Sequence, residues 1–261
     1  MSFTTDKSDS LVQEIQITGK FSGKDAKVFH ILGRRASFTS TSVFNDIGEG
    51  IGAASTALFP VLNGTETIEV LSSSANDTLA GTGARKIKMT YINNAYALVE
   101  TADINLNGTT PVTVVANDCL QCLWFEVTET GSSETSIGNL TLRTSTLTTL
   151  SRITAGGNKS MDAIFMVPDG WKAYIYEWSG SNIQNSQDLR MRAQVNTFDR
   201  SLSTVYHFQD NHNTPSNQAF DASLPFLQFP ARCKIKVSTI SSSTAGATRA
   251  DGDFTVVLIK D

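Results

Sequence analysis

An all-β fold, a sandwich or a barrel, is what this sequence predicts, on three observations. Short runs of β-branched and aromatic residues alternate with polar ones, as in Thr67–Leu71 and Arg85–Tyr91. Turn-formers separate the runs at Asn93-Asn94, Asn107-Gly108, Gly156-Gly157, Asp169-Gly170, Gly180 and Asp251-Gly252. Asn-Gly and Asp-Gly supply the positive φ that tight hairpins demand. Almost no stretch sustains the 3.6-residue period of an amphipathic helix, so an α/β fold fits poorly.

The elements follow in order. Residues 1–24 are polar apart from Leu11–Thr18, where apolar residues at 11, 15 and 17 predict an edge strand. Lys27–Leu32 predicts a second short strand. Gly33 to Asn63 reads as one long loop, yet it carries Phe38, Val43, Phe44, Ile47, Ile51, Leu58 and Phe59. Loops beyond roughly 12–15 residues are uncommon unless they bind something or wrap a neighbour. This one is too apolar for a solvated linker, and we read it as an extended arm packed on its own sandwich or on another subunit. Further strands are expected at Thr67–Leu71, Arg85–Tyr91, Ala95–Thr101, Val112–Val115, Leu120–Val127, Ser136–Arg143, Ala163–Val167, Lys172–Trp178, Met191–Val195, Val205–Phe208, Lys234–Ile240 and Phe254–Ile259. The predicted division is an N-terminal strand-and-arm region over 1–64 and a β-sandwich body over 65–261.

Composition narrows the function. Hydrophobic residues make up 40% of the 261-residue chain and charged residues 18%, with a net charge of -4. Disorder needs low hydrophobicity and high net charge, so a folded β protein is the better reading. A pI near 5.4 without a basic cluster argues against nucleic acid as a partner. No apolar run reaches about 18 residues, which argues against a membrane span. The opening MSFTTDKSDSLVQEIQ lacks an apolar signal core. With three cysteines and no signal peptide, Cys119, Cys122 and Cys233 are expected as free thiols.

Each pattern that could carry chemistry has a plainer reading. Cys119 and Cys122 have CxxC spacing, but a structural zinc site needs four ligands and no second CxxC or HxxxH exists. Their segment reads as a strand, where residues three apart point to opposite faces, so two unrelated thiols are expected. His207, Asp210 and His212 gather two histidines and a carboxylate at the end of a strand, without a further metal ligand. No serine sits in a GxSxG elbow. The glycines of Gly48-Glu49-Gly50 and Gly81-Thr82-Gly83 lack the context that cradles phosphate. Along Trp171–Trp178, strict alternation puts Lys172, Tyr174, Tyr176 and Trp178 on one face, as core or subunit contact in preference to a sugar site. Asn-x-Ser/Thr at Asn63, Asn76, Asn107, Asn139 and Asn158 reflects composition. No catalytic, cofactor-binding or metal-binding residue is assigned.

Several segments carry a resemblance. They are Gly33-Arg34-Arg35, Asn45-Asp46-Ile47-Gly48-Glu49-Gly50, the SSSANDT of Ser72–Thr78, the AGTGAR of Ala80–Arg85, the LNGTTPV of Leu106–Val112, and Met161–Gly170 followed by Ala173-Tyr174. Over roughly residues 33 to 178 the chain resembles virion structural proteins of tailed bacteriophages, many from marine hosts. At Gly48 it departs from the family's acidic-plus-Trp-Gly segment. The resemblance implies localisation in the virion and offers no catalytic residue. With the β pattern, it gives the expectation of a jelly-roll-like β-sandwich with an extended N-terminal arm. The expected role is a capsid decoration or cement protein, with a tail, collar or receptor- or glycan-binding component as the alternative. Expected partners are further copies of the chain, as a trimer, and other virion proteins such as the major capsid protein. Nucleic acid, membrane and cofactors are not expected. The assembly interface is expected at Phe38, Phe44, Ile47, Leu58 and Phe59. The glycan alternative would use the loop Asp210 to Ser223, with Trp178 nearby.

Overall fold

The computed structural model describes residue 15 and residues 18–38, 44–49, 60–183, 187–194, 206–214, 219–241 and 248–261. Along the chain the strands are β1 (Lys20–Phe21), β2 (Lys24–Phe38), β3 (Asn45–Asp46), β4 (Thr67–Ser72), β5 (Ala84–Asn93), β6 (Leu98–Glu100), β7 (Ile104–Asn105), β8 (Val112–Ala116) and β9 (Cys119–Thr130). They continue as β10 (Leu140–Thr144), β11 (Thr149–Ile153), β12 (Ile164–Met166), β13 (Trp171–Ile183), β14 (Gln187–Gln194), β15 (Tyr206–Thr214), β16 (Ala219–Phe229), β17 (Lys234–Ser241) and β18 (Thr248–Lys260). The fold is all-β. The edge strand expected over Leu11–Thr18 is not formed where the chain is described: Ile15 and Thr18 are helical, and the Gly19 amide donates to the Ile15 carbonyl at 2.8 Å. Gly19 then breaks the turn with a positive φ of 65°.

Two sheets form the larger body. One has the order β1-β2-β18-β13-β16 and the other β12-β17-β14-β15, with every neighbouring pair antiparallel. Setting aside the short β1 and β3, the eight strands of this body are β2 and β12 to β18. In chain order, the first, eighth, third and sixth make one sheet, and the second, seventh, fourth and fifth make the other. That is the strand order of a jelly roll. Its core includes Ile31, Phe165, Ile175, Trp178, Ile235, Val237, Phe254 and Val256, all buried.

Between the first and second jelly-roll strands the chain makes a second sandwich from β4 to β11. One of its sheets has the order β11-β10-β4-β8; in the other, β5 pairs with β6 and β7 along one edge and with β9 along the other. Its core includes Ile68, Val70, Ile87, Met89, Phe125, Leu140 and Leu142. Ile92 of β5 and Leu123 of β9 point the other way and join the jelly-roll core, so this sheet serves both cores. The division expected at residue 65 therefore differs from the packing: β2, expected within the arm region, is the jelly roll's first strand, and residues 67–153 make a sandwich of their own.

Three local features explain where the strand pattern departs from expectation. Gly33, Gly252 and Gly180 lie in register across β2, β18 and β13, not in turns. A Cβ on Gly33 would stand 2.4 Å from the Ala163 Cβ, and one on Gly252 2.9 Å from Val237 Cγ1, so these glycines let the opposite layer approach closely. A bulge at Tyr176 resets the alternation of β13, so Ala173, Ile175 and Trp178 are buried instead of sharing faces as strict alternation predicts. Opposite that bulge, Leu224, Pro225 and Phe226 of β16 stand out of register. Proline is tolerated there because β16 is an edge strand, and it discourages further strand pairing along that edge.

Candidate functional site

The motif strings of the sequence meet in space around Asp77. Its side chain is fully buried and accepts from Ser72 Oγ at 2.6 Å, from the Ala84 and Gly138 amides at 2.8 Å, and from the Ile137 amide at 2.9 Å. The backbone extends the knot: Gly108 N donates to Asp77 O at 2.8 Å, and Ser72 N to Gly108 O at 2.8 Å. The SSSANDT, AGTGAR and LNGTTPV segments thus converge at one end of the inserted sandwich. Small residues are needed there, since a Cβ on Gly83 would fall 2.0 Å from Asp77 Oδ1. With four donors on it, this carboxylate is a structural hub whose acceptor capacity is filled by its own chain. Leu79 and Ile137, 48% and 38% exposed, are carried by the segments it organises.

The expected assembly residues separate. Ile47 is 0% exposed and belongs to the jelly-roll core, with its amide donating to Val237 O at 3.0 Å and its carbonyl accepting from Ala163 N at 2.9 Å. It is a core residue of its own chain, a correction to its reading as a contact with a neighbour. The cause is β3, which pairs with β17 and carries Ile47 under the sheet. Phe44, beside β3, is half-buried. Phe38 ends β2 opposite Thr248. Leu58 and Phe59 lie outside the described residues.

The other candidate groups resolve as follows. Cys119 and Cys122 are free and buried in the same core, not on opposite faces, because β9 bulges at Leu120, between the partners of Ile92 and Asn93. Burial pushes the Cys119 thiol up to about 12 and Cys122 well above its ordinary value, which makes both poor nucleophiles. Cys233 is also buried, and its thiol is likewise pushed up by desolvation. His212 lies 3.4 Å from Asp210 Oδ2 and meets the Trp178 ring edge-on at 5.2 Å. Trp178 Nε1 donates to the same carboxylate oxygen at 2.9 Å. Trp178 itself is 0% exposed, so it presents no surface to a sugar. The expected loop Asp210–Ser223 is largely the strands β15 and β16.

Two further charged regions were not evident in the sequence. Arg35, Asp46, Lys234 and Lys236 are all buried. Arg35 Nη1 donates to the Asp46 carbonyl at 2.9 Å, and Lys236 Nζ lies 2.7 Å from Asp46 Oδ1. Burial, helped by the Lys236 charge, lowers Lys234 to about 7, and burial also lowers Arg35. The other region is an open groove of about 390 Å³ lined by Leu32, Arg34, Met161, Ser179, Asp251 and Asp253, among others. Its polar groups bond one another: Arg34 to Asp251 at 3.2 Å, Arg249 to Asp251 at 2.8 Å, and Ser179 Oγ to Asp253. Among the described residues no three metal-ligating side chains cluster.

No family model and no curated protein matches the chain. Among solved structures, it is similar to that of infectious bursal disease virus Gx strain, at 8% identity and a TM-score of 0.25, covering 91% of this chain and 71% of that one. It is also similar to the T13 particle of infectious bursal disease virus, at 9% identity and a TM-score of 0.21, covering 96% and 78%. A third similarity is to the tandem CBM22-1-CBM22-2 domain of Xyn10C from Paenibacillus barcinonensis, at 9% identity and a TM-score of 0.20, covering 92% and 94%. Similarities this slight carry neither identity nor function.

Proposed function

We propose that the chain is a structural protein of a virus particle, of the tailed-bacteriophage kind its motifs resemble, placed on the capsid exterior as a decoration or cement protein. The observation that carries this reading is the jelly-roll strand order, an architecture common in viral capsid domains. The Asp77 knot supports it, because the motif residues behind the resemblance build rigid loops at one end of the inserted sandwich. The chain would act by packing against further copies of itself, as a trimer, and against the major capsid protein. A jelly roll also occurs in lectin domains. A glycan-binding role through Trp178 loses its contact residue, since that side chain is buried.

The deciding experiment is immunogold electron microscopy of intact particles from cells producing this chain, with mass spectrometry of the purified particles. Label over the capsid surface is the expected result. Label confined to the tail or collar would move the protein to that part of the particle. A protein missing from washed particles would end the virion reading. Light scattering of the purified chain should give three times the monomer mass.

A further inference from the structure

Asp162 lies where the two sandwiches meet, and it is 4% exposed. Three segments converge on it and its neighbours. Ser151 of β11 donates its hydroxyl to Asp162 Oδ2. Gly48, in the turn after β3, forms a β-bridge with Asp162. Ser160, just before Asp162, accepts the Phe125 amide of β9 at 3.1 Å. Glu49 Oε2 accepts the Thr154 amide, just past β11, at 3.3 Å. The inserted sandwich and the jelly roll are thus stitched together around one carboxyl group.

The charges around that group do not favour its ionised form. Glu49, from the turn after β3, is a like charge, and Cys122 faces it from β9 as a buried thiol. The nearest cation in sequence, Lys159, is 3.8 Å from Glu126 and over the Trp124 ring at 5.3 Å. Among the described residues no ion pair includes Asp162. A buried carboxylate without a cation is costly, whereas a neutral carboxylic acid bonded to Ser151 is not. Burial, then the Glu49 charge, raises the carboxyl to about 7 against the opposing pull of the Ser151 and Ser160 hydroxyls and the Glu49 backbone amide.

We propose that Asp162 is a proton-operated latch: as the neutral acid it holds the inserted sandwich against the jelly roll, and on losing its proton it loosens that seam. The ionised group needs water and repels Glu49. Parting β11 from the segment before β12 satisfies both needs without disturbing either core. The latch belongs to the seam and is independent of the virion reading.

Hydrogen exchange of the full chain, read by mass spectrometry from about pH 5.5 to about 8.5 and corrected for intrinsic rates, tests it. The amides of Phe125, Thr154 and Ala163 should lose at least about tenfold of their protection as the pH rises through neutrality, as befits a single titrating group. Val256 and Val257, within the jelly roll, should show no comparable loss. Asp162→Asn should keep the seam protected throughout. Glu49→Gln, which retains the acceptor for Thr154, should move the loosening to lower pH, since it removes the repelling charge; it serves alone if Asp162→Asn does not fold. The latch is overturned if the wild-type seam amides follow Val256 at every pH, or if Glu49→Gln leaves the midpoint where it was.

Discussion

The two sandwiches solve the same problem with different means. The inserted one keeps its buried polar hub in loops, where Asp77 is neutralised by backbone amides and a hydroxyl of nearby segments. The jelly roll buries charge on its strands and in β3, with Arg35, Asp46, Lys234 and Lys236 together. Its pairings also join the ends of the chain, with Ala26 of β2 opposite Ile259 of β18. The first arrangement gathers turn segments from within residues 72–138, and the second includes partners 190 residues apart. Damage to each should therefore read out differently.

The largest effect is expected in the jelly roll. Trp178→Ala removes a fully buried indole and leaves Asp210 without its 2.9 Å donor, costing about 3–5 kcal/mol in a denaturant melt. If the two sandwiches unfold as separate units, the inserted one should keep its own transition, which near-ultraviolet dichroism would resolve. Next comes Asp77→Ala in the inserted sandwich. It strands the amides of Ala84, Ile137 and Gly138 and should cost about 3 kcal/mol, with the lost protection confined to the three motif segments. A uniform loss over both bodies would break the comparison. Gly33→Ala sets a methyl group 2.4 Å from the Ala163 Cβ and should cost about 1–3 kcal/mol in the melting curve, by pushing the layers apart.

These contrasts match what could be read beforehand. Most strands of the inserted sandwich, though not β7 or β11, were legible because alternation and turn chemistry agree locally, as in Thr67–Ser72 and at Asn107-Gly108. In the jelly roll the second half of β2 was not. Its GRRASF run looks like loop because a glycine and two adjacent charged residues interrupt the apolar alternation, and only the pairing with β18 and the bond to Asp46 explain them. The arm was misjudged for the same reason: residues expected to pack as a loop on the sandwich or on another subunit supply the second half of the jelly roll's first strand and the core residue Ile47. Truncation through Pro60 would thus remove β2 along with any assembly contact. In β13 and β9 single extra residues, at Tyr176 and Leu120, shift the faces, and a bulge leaves little mark in one sequence. The motif strings were visible as text, but their convergence on Asp77 was not, because a carboxylate's donors come from wherever the chain returns.

The finest test of the contrast is the pH dependence of stability. Asp162 at the seam is raised in the folded state to about 7 from 3.8, so the folded chain holds a proton the unfolded chain has lost. Stability is then full below about pH 4 and falls as the pH climbs towards and through 7. Lys234 in the jelly roll is lowered to about 7 from 10.5, so here the unfolded chain holds the extra proton. That penalty is full below 7 and lifts as the pH rises towards 10.5. The two limbs have opposite sign and meet near neutrality, where the protein should be least stable, with slopes of at most about 1.4 kcal/mol per pH unit on either side. Denaturant midpoints taken across this range should trace a valley. Asp162→Asn should flatten its acidic side alone, and Lys234→Met its basic side alone. A valley that both variants leave intact would mean that neither buried charge sets the pH response, and that the two bodies do not differ in the way their polar groups are buried.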